Sequence, residues 1–320
     1  MDRATTSSSK KQLGYALIWL ITTLSLMASL NFLGVSQAAG DSRNFDGTAP
    51  PDFALTTVTV DDATDPGALY GGALWTVNET RVKAGSGVLS RAVVEVDVTV
   101  VNTLTRTQLR IPDGMVTLAD SSGRVATGVR FVDEGSLVSV EPGESVSLTL
   151  QFEVGFSQNP PAEELSLVIS EQNRVPATIP LVGTGISDVT VAQAAIGTEP
   201  AELADPDQPA RRVVVEPRSV VISINAGPYR AEVGERLAVV TVDVQRSSPD
   251  GELLYDTSFW GLMADEVLYA PVVVAHSGQP SVNTDEITML FSFPETASGL
   301  GLVAGGTDVE GVQLPIVIPH

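Results

Sequence analysis

The side chains that catalysis usually draws on are scarce in this 320-residue chain, and that scarcity bounds its chemistry. Only His276 and His320 could act as imidazole bases, and there is no cysteine. A Ser–His–Asp site needs a base held against a nucleophile. His276, in Val274-Ala275-His276-Ser277-Gly278, reads as a loop or strand-end residue instead, and His320 ends the chain. Without cysteine there are no thiolate nucleophiles, disulfides, cysteine-based zinc sites or Fe–S clusters, and no lipidated cysteine anchor. Two remote histidines are also a poor set for zinc. Asp61-Asp62-Ala63-Thr64-Asp65-Pro66-Gly67 is the densest acidic loop. Calcium favours such oxygen ligands, but the spacing is not that of an EF-hand, and solvated turn residues are the ordinary reading. With 39 acidic residues, no one pair stands out as the paired carboxylates of a glycosidase. Phosphate-binding glycine loops and nucleotide fingerprints are absent. The expectation is therefore a non-enzyme, with no catalytic, cofactor-binding or metal-ligating residue assigned and no cofactor required.

Recognition chemistry is better represented. Tyr255, Phe259, Trp260 and Tyr269 cluster in sequence and form the candidate partner-binding patch, since exposed aromatics mark interfaces. Core packing is the competing role for at least half of them. Asn78-Glu79-Thr80 is a formal glycosylation sequon, meaningful only in a host that glycosylates.

A net charge of −21 excludes nucleic acid as a partner, because nucleic acid rewards clustered Lys and Arg. It equally disfavours docking on anionic lipid, leaving the N-terminal segment as the only membrane contact. There, Lys10 and Lys11 precede an uncharged run from Leu13 to Val35, followed by the small residues of Ser36-Gln37-Ala38-Ala39. Residues 1–39 thus read as a signal peptide cleaved after Ala38, or as an uncleaved anchor. As a helix the run would reach about 35 Å, enough to cross a bilayer with tilt. Either way the positive residues stay inside and the rest is exported, to be secreted, periplasmic or on the cell surface.

The exported part reads as strand after strand. Ala92, Val94, Val96, Val98 and Val100 share one face, with Glu95, Asp97 and Thr99 on the other. Val146, Leu148, Leu150, Phe152 and Val154 alternate with polar residues, and so do Ile287, Met289, Phe291 and Phe293. Pro142-Gly143 suits a type II turn, and Asp120-Ser121-Ser122-Gly123 suits a hairpin. An internal repeat runs through this pattern. Ala92–Val98 is echoed by Ala238–Val244, Leu118–Asp120 by Met263–Asp265, Leu148–Phe152 by Ile287–Phe291, and Ile179–Val182 by Leu314–Val317. The offset shrinks along the chain, as if the second copy had shorter loops. The expected layout is a flexible spacer at 40–52, a β-sandwich at 53–185, an acidic, proline-rich and mobile linker at 186–211, and a second sandwich at 212–320. The fold class is all-β, antiparallel, behind an N-terminal hydrophobic export helix.

The order of these elements resembles a bacterial secreted or cell-envelope immunoglobulin-like domain family of unknown function. The likeness is carried by the strand ending in Val101-Asn102, the Val116–Gly123 hairpin, Val140-Glu141-Pro142-Gly143-Glu144, Leu148–Val154, Leu165–Val168 and Ala177–Leu181. The second copy lacks the Pro-Gly turn and joins through the repeat. The resemblance implies two tandem immunoglobulin-like sandwiches acting as binding or scaffolding modules, without catalytic residues to carry over. The expected function is recognition or scaffolding of an envelope protein or glycan by a non-enzymatic exported protein. The alternative is a membrane-anchored accessory module of an envelope enzyme or transporter complex.

Overall fold

The computed structural model describes residues 65–83, 92–126, 130–132, 135–154, 161–187, 192–197, 199–204, 212–246, 257–277, 284–305 and 312–317. The export segment at 13–35, the spacer at 40–52, Asp61, Asp62, Tyr255 and His320 lie outside the described residues. Those described are nearly all β, joined by turns and three-residue 3-10 segments. None of their helices is long and apolar enough to cross a membrane.

The first half contains β1 (Pro66–Tyr70), β2 (Ala73–Lys83), β3 (Ala92–Asn102), β4 (Leu109–Pro112), β5 (Val116–Asp120) and β6 (Val125–Ala126). It continues with β7 (Arg130–Phe131), β8 (Leu137–Val140), β9 (Ser145–Val154), β10 (Leu165–Ile169), β11 (Ala177–Pro180) and β12 (Gly185–Ser187). One sheet has the order β12-β1-β2-β3-β9-β7 and a second the order β11-β10-β5-β6, while β4 and β8 form a separate ribbon. The pairings are antiparallel except that β12 runs parallel to β1. Alternation explains the layering. Val94, Val96, Val98 and Val100 of β3 point inward with no exposed surface, as do Leu118, Leu167 and Ile179 from the other sheet. Together they form one hydrophobic cluster that both sheets cover, each such side chain contributing roughly 1.5–3 kcal/mol by leaving water.

The second half contains β13 (Ala192–Ile196), β14 (Ala201–Ala204), β15 (Arg212–Ser223), β16 (Asn225–Ala226), β17 (Tyr229–Arg230) and β18 (Glu235–Arg246). Then come β19 (Trp260–Ala264), β20 (Val267–Tyr269), β21 (Val273–Ser277), β22 (Thr284–Pro294), β23 (Leu300–Ala304) and β24 (Val312–Val317). These make a continuous order β20-β19-β23-β24-β13-β15-β18-β22-β21, with β14 also on β15. Strand β13 joins its two parts: Ala192–Ala194 pair with β15, and Ala195 and Ile196 pair with β24. The sheet encloses its own cluster, which includes Val240, Val242, Leu262, Met289, Phe291 and Leu302.

The halves share one connectivity. The path β2-β3-β9-β7 has its counterpart in β15-β18-β22-β21, and β11-β10-β5-β6 in β24-β23-β19-β20. Pairing corrects the register of the repeat. Val98 sits between Val77 and Leu148, and Val242 sits between Pro217 and Ile287. Both flanking strands then bulge, β2 between Val77 and Glu79 and β15 between Pro217 and Ser219. The extra residue reaches across in each case: Asn78 donates to Thr99 Oγ1 at 2.9 Å, and Arg218 pairs with the Asp243 carboxylate. Val98 therefore corresponds to Val242, two positions away from the literal match of Ala92–Val98 with Ala238–Val244. Likewise Val116 and Trp260 each follow a 3-10 turn. That sets buried Leu118 against buried Leu262 and not against half-buried Met263.

The stretch read as a mobile linker also differs. Gly185–Ser187 joins the first sheet, and Ala192–Ile196 and Ala201–Ala204 join the second. Ala194, Ala201 and Leu203 are buried in the second core, and two alanines with a single leucine leave little hydrophobic period to detect. Its residues 205–211 lie outside the described residues.

Candidate functional site at the junction of the two cores

The hairpin β16–β17 rises between β15 and β18 and meets the β1–β2 end of the first half. Its sequence, Asn225-Ala226-Gly227-Pro228-Tyr229-Arg230, is turn-rich and pairs Asn225 with Arg230 and Ala226 with Tyr229. Backbone bonds lock the hairpin to the β10–β11 loop. Val175 N–H donates to the Ala231 carbonyl and Val233 N–H to that of Asn173, each at 3.0 Å, and Arg174 bridges to Glu232. Asn173 adopts φ 63°, a left-handed conformation that asparagine tolerates better than most residues.

Arg230 is the centre of this contact and is only 3% exposed. Its Nε donates to the Val175 carbonyl at 2.7 Å, and one Nη2 bond reaches the Pro176 carbonyl at 3.0 Å. Nη1 donates to the Leu69 carbonyl at 3.1 Å and to Asn225 Oδ1 at 2.8 Å. Asn225 Nδ2 donates to the same Leu69 carbonyl at 3.2 Å. A buried guanidinium is costly unless its donors are met, and here three acceptors belong to the first half. The planar fork suits such a set as a lysine would not.

Tyr70, 1% exposed, lies under the guanidinium and accepts the Glu171 N–H at 2.9 Å on its hydroxyl. Burial pushes its phenol up from the ordinary value. The Glu171 hydrogen bond works against that shift, the Glu171 charge adds to it, and Arg230 and Arg174 oppose it. The hydroxyl stays protonated and can donate. Beside it a small cleft of about 70 Å³ is lined by Tyr70, Trp75, Arg110, Met115, Glu171 and Arg230 among others. Trp75 is fully buried, and its indole N–H has no acceptor among the described residues. This geometry suits holding two bodies together.

The aromatic residues named from sequence fall elsewhere. Trp260 is 3% exposed and belongs to the second core, so it cannot present a face to a partner. Phe259 meets it edge-on, with ring centres 5.1 Å apart and planes at 77°, and both Phe259 and Tyr269 pack against that core. Trp260 is interior because it opens β19 on its inward face, while Phe259 and Tyr269 are partly exposed. His276 lies on β21 opposite Ile287. Asn78 of the sequon is exposed on the β2 bulge. Among the described residues no group of three His, Cys, Asp or Glu could hold a metal ion. Sequence reasoning passed over Tyr70, Asn225 and Arg230. The available signal was a polar, Gly-Pro turn segment between two strongly apolar strands. No protein-family model matches the chain, and no curated protein is significantly similar to it.

Proposed function

We propose that this is an exported, non-enzymatic recognition or scaffolding protein, built of two immunoglobulin-like sandwiches that arose as tandem copies. The observation that carries the reading is the Arg230 junction. A protein that only needed two tethered modules would leave a loose, solvated contact. Here a buried arginine bonds to three backbone carbonyls of the other half. Two binding surfaces held at a fixed separation gain affinity for a partner that spans them. The uncharged run from Leu13 to Val35 supports export, and the chain's net charge of −21 supports a soluble ectodomain facing an envelope protein or glycan.

Capture from an envelope extract tests this, with the full chain compared with its Arg230→Ala variant at matched circular dichroism. A partner retained by the parent and weakened by the variant supports a rigid scaffold. Turnover of an ester, glycan or peptide by the purified chain, abolished by one substitution, overturns it.

A further inference from the structure

The corresponding sheet edges of the two halves are defended differently. In the first half the edge strands β6 and β7 have two residues each, and exposed Arg124 immediately precedes β6. Short strands and charges are the usual protection of an open edge. In the second half the same places are taken by β20, with three residues, and β21, with five. From Val267 to Ala275 there is no charged residue. Val267, Leu268 and Val272 are 52%, 56% and 51% exposed, so the apolar surface is presented to solvent. The two strands are the opposite ends of the sheet order and are joined in the chain by residues 270–272, and among the described residues β20 pairs only with β19 and β21 only with β22.

The ends of this edge are acidic. Asp265 and Glu266, both exposed, form the turn before β20, and Glu286 stands opposite Ser277 at the far end of β21. The whole chain carries 39 acids against 18 bases. A second copy would bring the same acidic ends against these, and like charges would oppose the pairing. A strand with an apolar centre and basic flanks meets both features.

We infer that the β20–β21 edge is a docking site for an extended segment of a partner protein, apolar and β-branched at its centre and flanked by Lys or Arg. The segment adds a strand to β21, with backbone bonds supplying affinity and the flanking charges orientation. This deepens the recognition reading by naming the surface and the partner's chemistry. Failure here leaves the envelope-capture test of that reading intact.

The probe is a synthetic peptide, acetyl-Lys-Lys-Val-Thr-Val-Thr-Val-Lys-Lys-amide, titrated into the full chain by fluorescence anisotropy and followed by amide hydrogen exchange. Binding with new protection confined to 267–277 is expected, together with at least a tenfold loss in Leu268→Lys and Val272→Lys. Those two positions are over half exposed, so both variants should fold, and melting curves check that they do. Val125→Lys on the first-half edge should leave binding unchanged. Equal binding of a peptide with Glu flanks overturns the proposal. So does protection elsewhere, or a self-association of the chain that the two lysine variants abolish.

Discussion

The guanidinium carbon of Arg230 lies 4.7 Å from the centre of the Tyr70 ring, and the two residues come from opposite halves of the molecule. Tyr70 ends β1 and holds the β10–β11 loop through Glu171, while Arg230 bonds to that same loop at Val175 and Pro176. Ring, loop and guanidinium therefore constrain one another. The halves keep separate cores, and this buried guanidinium joins the backbone bonds to the β10–β11 loop in setting their relative placement.

Truncating that side chain should be costly. Arg230→Ala leaves the carbonyls of Leu69, Val175 and Pro176 without this donor. A destabilisation of about 3 kcal/mol is expected, in line with removing a buried, hydrogen-bonded charge. Arg230→Lys should recover less than half, because one ammonium cannot fork to acceptors on several sides. Urea denaturation followed by fluorescence measures both. A cost below about 0.5 kcal/mol for Arg230→Ala would place the junction's cohesion elsewhere.

Glycine is required at Gly72 for two separate reasons. Its φ of 78°, beside 57° at Gly71, makes the two-residue turn between β1 and β2. A Cβ there would also fall 2.5 Å from Leu104 Cδ2, and Leu104 is only 2% exposed. Gly123 has nearly the same φ, 79°, but open space around it. Gly123→Ala should therefore cost about 1 kcal/mol for the left-handed backbone alone. Gly72→Ala should cost roughly 1–3 kcal/mol more as Leu104 is displaced. The difference between the two variants in urea midpoint isolates the packing part from the backbone part.

Period-two alternation made β3, β9 and β22 legible, because half-buried strands must alternate and theirs do. The turns at Gly123 and Gly143 were legible too, and both adopt positive φ, 79° and 74°. The register of the repeat was not. A slip of two residues keeps every valine of β3 on its own face, so only the bulges at Asn78 and Arg218 reveal it. Which of the clustered aromatics packs inward was not legible, because a cluster in sequence does not say which way each strand faces. Arg230 was missed for a deeper reason: its partners are backbone carbonyls, and a carbonyl leaves no trace in the sequence.

Asn102 closes the far end of β3 and is fully buried. Its Nδ2 donates to the carbonyls of Thr107 at 2.9 Å and Val140 at 3.0 Å, and its Oδ1 accepts the Leu104 N–H at 3.0 Å. Asn102→Ala unpairs three backbone groups, two of them inside the protein, for an expected loss of about 2–4 kcal/mol. Asn102→Asp should not rescue it, because a carboxylate oxygen would face the two carbonyls that the amide now satisfies. Equilibrium unfolding of both variants checks the amide's donor role against a purely steric one, which aspartate would preserve.

Asp120 makes the fold acid-sensitive in a narrow window. The Ser122 hydroxyl donates to its Oδ1 at 2.7 Å, the Arg124 N–H adds a bond at 2.8 Å, and the Arg124 guanidinium bridges to Oδ2 at 2.6 Å. The Ser122 bond first, then the Arg124 bonds and charge, hold the carboxyl down from 3.8 to about 2 against the opposing cost of burial. The folded state thus releases this proton more readily than the unfolded chain. Its stabilising contribution is complete above the unfolded value of about 3.8 and disappears as pH falls through about 2. Asp120→Asn has no proton to release at this position. The stability gap between parent and variant should be level from pH 7 to 5, then close steadily between pH 4 and 2. A gap that stayed constant down to pH 2 would mean that the hairpin contacts, and not the charge, set the stability of this turn.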